Sequence, residues 1–293
     1  FVATAEVIAL LHLTPVLVDV DPDTFNIDPD AIRASITEKT KAIVPVHLFG
    51  QCAPMEDIMA IAEEHNLYVI EDNAQAIGAD YIFSDGTRRK AGTLGNVGTT
   101  SFFPSKNLGA YGDGGALFTN DDALAKTLRS IANHGSTERY YHDDIGVNSR
   151  LDSIQAAVLR IKLPKLDDYA ARRRSVADRY DAAFADILQL KTPKRSPSST
   201  HVFHQYTLQV QNGDRDALRE HLNQKDIPSM IYYPVPLHMQ KAYKNERYDK
   251  GDFPITEQLS DSVLSLPMQT ELDDEQLEYI IDGVKSFFNN GKQ

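Results

Sequence analysis

The stretch from Ser101 to Gly115 most constrains this chain: Ser101-Phe102-Phe103-Pro104-Ser105-Lys106-Asn107-Leu108-Gly109-Ala110-Tyr111-Gly112-Asp113-Gly114-Gly115. One lysine sits in a run with no other charge until Asp113, with an apolar segment before it and four glycines after it. A lysine at the end of an apolar strand is partly desolvated, and desolvation lowers the pKa of an amine. Such an amine can attack a carbonyl and hold it as a Schiff base. The glycines, lacking Cβ atoms, let backbone approach a flat ligand closely. The competing reading of this stretch alone is a surface lysine in a glycine-rich turn.

Upstream lies Leu67-Tyr68-Val69-Ile70-Glu71-Asp72-Asn73-Ala74-Gln75-Ala76. Tyr68 to Ile70 reads as a short buried strand. Asp72 falls just past its carboxyl end, where open α/β sheets place their ligands. A carboxylate there and a lysine at the end of a later strand are the two fixed points that pyridoxal phosphate requires. The lysine holds its aldehyde, and the carboxylate keeps the pyridine nitrogen protonated so that the ring accepts electrons.

The motifs Asp72-x-x-Gln75, Ser101-x-x-x-x-Lys106-Asn107-Leu108-Gly109 and Gly112-Asp113-Gly114-Gly115 resemble those of the nucleotide-sugar aminotransferases of the DegT/StrS type. The resemblance covers essentially the whole chain. It takes in Asn148-x-Arg150-Leu151-Asp152-x-x-Gln155-Ala156-Ala157 and Tyr233-Pro234-Val235-Pro236-Leu237-His238. It implies an α/β protein of pyridoxal-phosphate fold type I. A large domain, 1–163, would hold a mostly parallel sheet between helices, and a smaller C-terminal α/β domain, 164–293, would begin with a long connecting helix. Phe1-Val2-Ala3-Thr4 matches the middle of a family motif, so a preceding segment that helps bind the cofactor phosphate is expected to be missing from the chain as given.

Composition narrows the partners. The 293 residues are enough for one large and one smaller domain, and the 42% hydrophobic content is ordinary for a globular protein. The net charge is −12, and the longest basic clusters are Arg88-Arg89-Lys90 and Arg172-Arg173-Arg174. Nucleic acid and anionic membrane are therefore not expected as partners, and both triplets are expected on solvated faces. The single cysteine, Cys52, excludes an intrachain disulfide and suits a reducing, cytoplasmic setting; its expected role is structural. No apolar run approaches the length of a membrane span, and no leader is expected.

Along the chain, apolar spacing predicts a helix over Phe1–Leu13 and a strand over Pro15–Val20. Asp28-Pro29 marks a helix start. A strand over Lys41–His47, a helix over Met55–His65 and the strand before Asp72 follow, an alternation that implies parallel strands. Ser84-Asp85-Gly86-Thr87 reads as a hairpin turn. Strands are expected over Gly98–Phe103 and Gly114–Thr119, and then a helix capped by Asn120 or Asp121. A polar loop should run to Val147. Asp152–Lys162 is amphipathic, with Ile154, Ala157, Val158 and Ile161 on one face. Beyond Pro164 come a long helix over Lys165–Leu190 and a Ser/Pro-rich loop over Lys191–Thr200. A strand over His201–Val210, a helix over Asp214–Gln224 and a strand over Ser229–Tyr233 follow. Thr256–Val263 and Asp273–Phe288 read as helices.

The resemblance assigns roles position by position. Lys106 is the Schiff-base lysine. Asp72 pairs with the pyridine nitrogen, its alternative being a helix-capping aspartate. Ser101 binds the cofactor phosphate, a neutral hydroxyl being chemically suitable; the alternative is a plain strand serine. Gln75 serves the hydroxyl side of the cofactor ring, or is a polar residue at a helix start. Phe1 stacks on the ring, or is a core aromatic. Asn148 reaches the phosphate of a neighbouring subunit. Arg150 recognises a carboxylate of donor or sugar bidentately, or forms a structural ion pair. Tyr232 and His238 are candidate substrate contacts, although related enzymes often carry histidine where Tyr232 stands. No metal is expected: three residues apart on a strand, His201 and His204 would face opposite sides. The run Gly109–Gly115 leads from a lysine loop into a strand, unlike a dinucleotide fingerprint.

Implied as a whole is an aminotransferase that uses pyridoxal phosphate to move an amino group from glutamate to a keto group of a nucleotide-linked sugar. It would act as a homodimer with shared active sites, and Lys106 would shuttle the proton. Lys106-Asn107-Leu108-Gly109 with Gly112-Asp113-Gly114-Gly115 leans towards amination at C3, and the wider match looks most like enzymes of UDP-linked 2-acetamido-3-keto hexuronic acids. Two rivals stand: a sugar dehydratase of the same fold, whose relatives carry histidine in place of Lys106, and a non-catalytic binding or regulatory relative.

Overall fold

The computed structural model describes residues 1–244 and 246–290. Among them the strands are β1 (Ala42–Ile43), β2 (Tyr68–Asp72), β3 (Asp80–Ile82), β4 (Arg88–Lys90), β5 (Val97–Ser101), β6 (Gly115–Phe118), β7 (Ser136–Glu138), β8 (Tyr141–His142), β9 (Leu190–Lys191), β10 (Tyr206–Val210) and β11 (Val263–Leu266). The helices are α1 (Ala3–Leu10), α2 (Pro29–Ser35), α3 (Met55–Glu64), α4 (Asp122–Ala132), α5 (Ser153–Lys162), α6 (Leu166–Phe184), α7 (Arg215–Asn223), α8 (Pro254–Ser262) and α9 (Asp274–Asn290).

The sheet that carries the site has the order β1-β2-β5-β6. β1–β2 and β2–β5 are parallel, and β6 returns antiparallel beside β5. This is the expected mixed α/β architecture with a parallel centre. Local chemistry sets many boundaries. Asp28 caps α2 through Asp30 N, with Pro29 at the first helical position. Asp121 caps α4 through Ala123 N and Leu124 N. The turn at Ser84–Thr87 joins β3 and β4 into the expected hairpin.

Two main cores lie behind this. In the first, Ile32 of α2 and Met55, Ile58 and Ile61 of α3 pack on Ile43 and Val69 of the parallel strands. In the second, Val176, Tyr180 and Phe184 of α6 pack with Leu208 of β10, Leu218 of α7 and Ile281 of α9. That core backs an antiparallel sheet of order β11-β10-β9. α6 runs from one core into the other, since its Ala170 belongs to the first.

Several expectations fail for identifiable reasons. Pro15–Val20 is not a strand; it has only the bridge Val20–Ile27, and an extended segment without a neighbour has unpaired backbone groups. The strand expected over Lys41–His47 shrinks to β1, because Pro45 has no N–H for the ladder. Its pairing resumes only at the Val46–Asp72 bridge. His201 and His204 precede the strand rather than lying on it, and Phe203 between them has φ 44°, outside extended geometry. Ser229–Tyr233 keeps the single bridge Met230–Ser265. The polar loop before Val147 contains the β7–β8 hairpin, and β11 was not foreseen. The apolar face expected of α5 is open: Ile154 is 74% and Ile161 70% exposed, and the helix buries Leu159 instead. Arg173 leaves the solvated face expected of its triplet: its Nη1 donates to the carbonyls of Phe203, His204 and Met268, and burial lowers its pKa to about 10.

Candidate active site

Because β2 and β5 run parallel, with Asp72 opposite Thr99, their carboxyl ends open on the same edge of the sheet. Asp72 is the last residue of β2, and Lys106 sits in the loop leaving β5. Burial lowers the pKa of the Lys106 amine, and the charge of Asp72 partly offsets that fall. No described residue hydrogen-bonds or ion-pairs with the Lys106 amine. A partly desolvated, unpaired amine facing a carboxylate is the constellation expected from the sequence.

The Lys106 loop is held from three sides. Asn107 is buried, its Nδ2 donating to Val202 O at 3.0 Å and its Oδ1 accepting from His204 Nδ1 at 3.2 Å. Lys162 of α5 donates to Gly109 O. Gln155 Oε1, also of α5, accepts from Tyr111 N at 2.9 Å. The glycines also answer to the protein's own packing. A Cβ on Gly109 would stand 2.3 Å from Pro104 O, and one on Gly112 would stand 2.9 Å from Gln155 Nε2. Neither distance is sterically possible without movement.

Around Asp72, Thr4 Oγ1 donates to Oδ2 at 2.6 Å and Ala74 N donates to Oδ1 at 3.1 Å. Gln75 is buried; its Oε1 accepts from Phe49 N at 2.7 Å and its Nε2 donates to Tyr233 Oη at 3.3 Å. Phe1 leaves most of its ring exposed, 6.1 Å between centroids from Tyr233. Ser101 ends β5, and its hydroxyl accepts from Phe103 N at 3.2 Å.

Behind Asp72 lies a fully buried, hydrogen-bonded His–Glu pair that sequence reading missed. His47 and Glu71 are both 0% exposed, with Nε2 and Oε2 2.8 Å apart. The Glu71 carboxylate also accepts from the main-chain nitrogens of Gly92, Leu94 and Gly95 at 2.6–2.8 Å. Ala53 N donates to His47 Nδ1, which leaves Nε2 to carry the proton towards Glu71. Burial works to raise the Glu71 pKa, but the His47 contact and the main-chain donors outweigh it and hold the carboxyl below its ordinary range. The available signal was positional: His47 and Glu71 sit where adjacent parallel strands end.

The other expected residues are placed differently. Asn148 and Arg150 are exposed on the loop after β8. Arg150 Nε donates to Asn148 Oδ1 at 2.9 Å, and the Asn148 backbone bridges to Asn133. Tyr232 packs edge-on against Tyr233 and onto the cluster of Phe25, Phe49, Leu259 and Val263. Tyr233, which sequence reading left out of the site, is the one that reaches Gln75. His238 is buried, its Nε2 3.0 Å from Glu257 and its ring against Phe253. His201 and His204 are buried neutral rings whose pKa burial lowers to about 3. Burial pushes the Cys52 thiol up to about 12, which makes it a poor nucleophile.

An amine, a carboxylate, an amide, a hydroxyl and an accessible aromatic face at one sheet edge suit pyridoxal phosphate, and comparison with known proteins agrees. A pleiotropic regulatory protein of Geobacillus stearothermophilus is 48% identical over 99% of this chain and 77% of its own length. The UDP-2-acetamido-2-deoxy-3-oxo-D-glucuronate aminotransferase of Pseudomonas aeruginosa is 44% identical over 96% of this chain and 75% of its own length. The crystal structure of a DegT DnrJ EryC1 StrS aminotransferase from Brucella abortus superposes with a TM-score of 0.90 at 44% identity, covering 98% of this chain and 77% of that one. The family model matches residues 1–285, and the chain belongs to the DegT/DnrJ/EryC1/StrS aminotransferase family.

Proposed function

We propose that this chain moves an amino group from glutamate to the C3 keto group of a nucleotide-linked sugar. It is a pyridoxal-phosphate-dependent sugar aminotransferase of amino-sugar biosynthesis by its family. The observation that carries the cofactor chemistry is the desolvated Lys106 amine, with no hydrogen-bond or ion-pair partner among the described residues, beside Asp72 at the ends of two parallel strands. The C3 reading is supported by the motifs Lys106-Asn107-Leu108-Gly109 and Gly112-Asp113-Gly114-Gly115 and by the names of two relatives. The cofactor supplies the electron sink. Asp72 would hold its ring nitrogen, Gln75 its hydroxyl side, Ser101 its phosphate and Phe1 a ring face. Lys106 Nζ would take the proton from the donor's α-carbon and return it on the other side of the transfer. A UDP-linked 3-keto hexuronic acid is the acceptor we favour, with Arg150 on its carboxylate. Of the other two expected substrate contacts, His238 is tied to Glu257, so we assign it a structural role. Tyr232 is half-buried in packing, so we transfer its role to Tyr233.

We further propose a homodimer, with Asn148 and Arg150 completing the partner's site. What supports it is the exposed apolar surface next to them: Tyr141, Ile145, Ile154, Ile161 and Leu163 are all more than half exposed. Apolar patches of this kind mark contact surfaces. The division into 1–163 and 164–293 is likewise our reading; residues 291–293 lie outside the described residues, and the two separate sheets support it. Among the described residues no helix is long and apolar enough to cross a membrane; a cytoplasmic place of action goes with a nucleotide-sugar substrate.

The substrate is tested by running the reaction backwards. Incubated with 2-oxoglutarate, 3-amino nucleotide sugars should yield glutamate, whereas 4-amino isomers should not; glutamate from the 4-amino compounds alone would overturn the C3 assignment. Arg150→Lys should slow an acidic sugar about tenfold more than its neutral analogue, since one hydrogen bond to a charged group is worth roughly 1.5–3 kcal/mol. Equal losses would remove Arg150 from the sugar carboxylate. The dimer is tested by mixing an Asn148→Ala chain with a Lys106→Ala chain. Shared sites give a mixed dimer with one doubly defective and one intact site, so activity should partly return; no recovery in a confirmed mixed dimer argues against sharing. A regulatory role is the second reading, favoured by the name of the relative from Geobacillus stearothermophilus; glutamate production at a catalytic rate distinguishes the two.

A further inference from the structure

The backbone of Asp72 is pinned on both sides. Its N donates to Pro45 O at 2.9 Å, and its O accepts from His47 N at 3.0 Å. Its neighbours Glu71 and Asn73 are buried and bonded to the turn at 91–95. One freedom remains, rotation of the carboxylate itself. Two donors meet it on different oxygens: Ala74 N on Oδ1, from the adjacent turn, and Thr4 Oγ1 on Oδ2, from a helix 68 positions away in sequence.

We propose that Thr4 is a positioning residue for Asp72, fixing the plane of the carboxylate that receives the cofactor's ring nitrogen. The proposal rests on the cofactor-site reading above. A carboxylate has about four lone-pair sites; Thr4 and Ala74 take one on each oxygen and leave one on each for the ring. A hydroxyl donor hydrogen-bonds the carboxylate yet brings no charge. A lysine or arginine in its place would neutralise Asp72 and compete with a cationic ring nitrogen. Helical threonines commonly turn the hydroxyl back onto their own helix; Thr4 sends it across to β2 instead.

The test compares Thr4→Val, which keeps the shape and removes the hydroxyl, with Thr4→Ser, which keeps the hydroxyl. Both are made in the native protein and in Asp72→Asn. Pyridoxal phosphate is titrated into each cofactor-free protein and followed by its absorbance, and thermal midpoints are recorded without cofactor. Thr4→Val should weaken cofactor binding on the order of tenfold, roughly the worth of one hydrogen bond to a charged group, with a midpoint that leaves the cofactor-free protein folded at the titration temperature. Thr4→Ser should stay near the native affinity. In the Asp72→Asn background, Thr4→Val should change affinity much less, because the charged acceptor is gone. Native affinity in Thr4→Val, or an equal loss in both backgrounds, would overturn the role of Thr4 while leaving Asp72 in place. If Asp72→Asn itself binds cofactor as tightly as the native protein, the cofactor-site reading falls and the role of Thr4 with it.

Discussion

Lys106→Ala should lower turnover by at least 10²–10⁴-fold, roughly the contribution of one positioned proton-transfer group, while the fold stays intact. Among the described residues none hydrogen-bonds or ion-pairs with the Lys106 amine, so its removal breaks no such contact, and loss of activity at a thermal midpoint no lower than the native one is the diagnostic pair. Retention of activity within about tenfold would remove Lys106 from the chemistry. Burial lowers this amine's pKa and Asp72 partly restores it, so in the cofactor-free protein Asp72→Asn should lower the titration of the Lys106 amine further. Linkage gives a second sign to check. A lysine whose folded pKa lies below its ordinary value costs stability at low pH, and that cost is relieved as pH rises from the lowered towards the ordinary value. Lys106→Met should therefore stabilise the cofactor-free protein near neutral pH.

Glu71→Ala should destabilise the protein by at least about 3 kcal/mol, since each buried donor left unsatisfied costs roughly 1–3 kcal/mol. His47 would lose its acceptor, and three main-chain N–H groups would be left unpaired in a dry site. Glu71→Gln is no conservative exchange here. Four N–H donors converge on two carboxylate oxygens; an amide offers one oxygen and turns its NH₂ against the rest. Because the folded carboxyl titrates below its ordinary range, its contribution is present above the unfolded value and lost as pH falls through the lowered one. Urea midpoints measured from neutral pH downwards would show this as a native–mutant gap that narrows in acid. A midpoint unchanged at neutral pH would show that the pair contributes nothing net.

Sequence by itself placed Asp72 and Lys106 at strand ends, because apolar runs and the residues that stop them are local signals. The same holds for the caps Asp28 and Asp121 and for the hairpin at Ser84–Thr87. Motif spacing carried the family and, with it, the cofactor. What only the tertiary structure decided involves partners far apart in the chain. The alternation of α5 showed that Ile154 and Ile161 share a side, but an amphipathic pattern does not say whether anything covers that side. The glycines after Lys106 also lie against Pro104 and Gln155, contacts that no local pattern shows. Arg173 reads like its neighbours in the triplet, yet three carbonyls from two other segments draw it inwards. His47 with Glu71, and Thr4 with Asp72, meet because parallel strands bring their carboxyl ends to one edge and α1 folds across it. That meeting is set by sheet order and packing, to which no single stretch of residues holds the key.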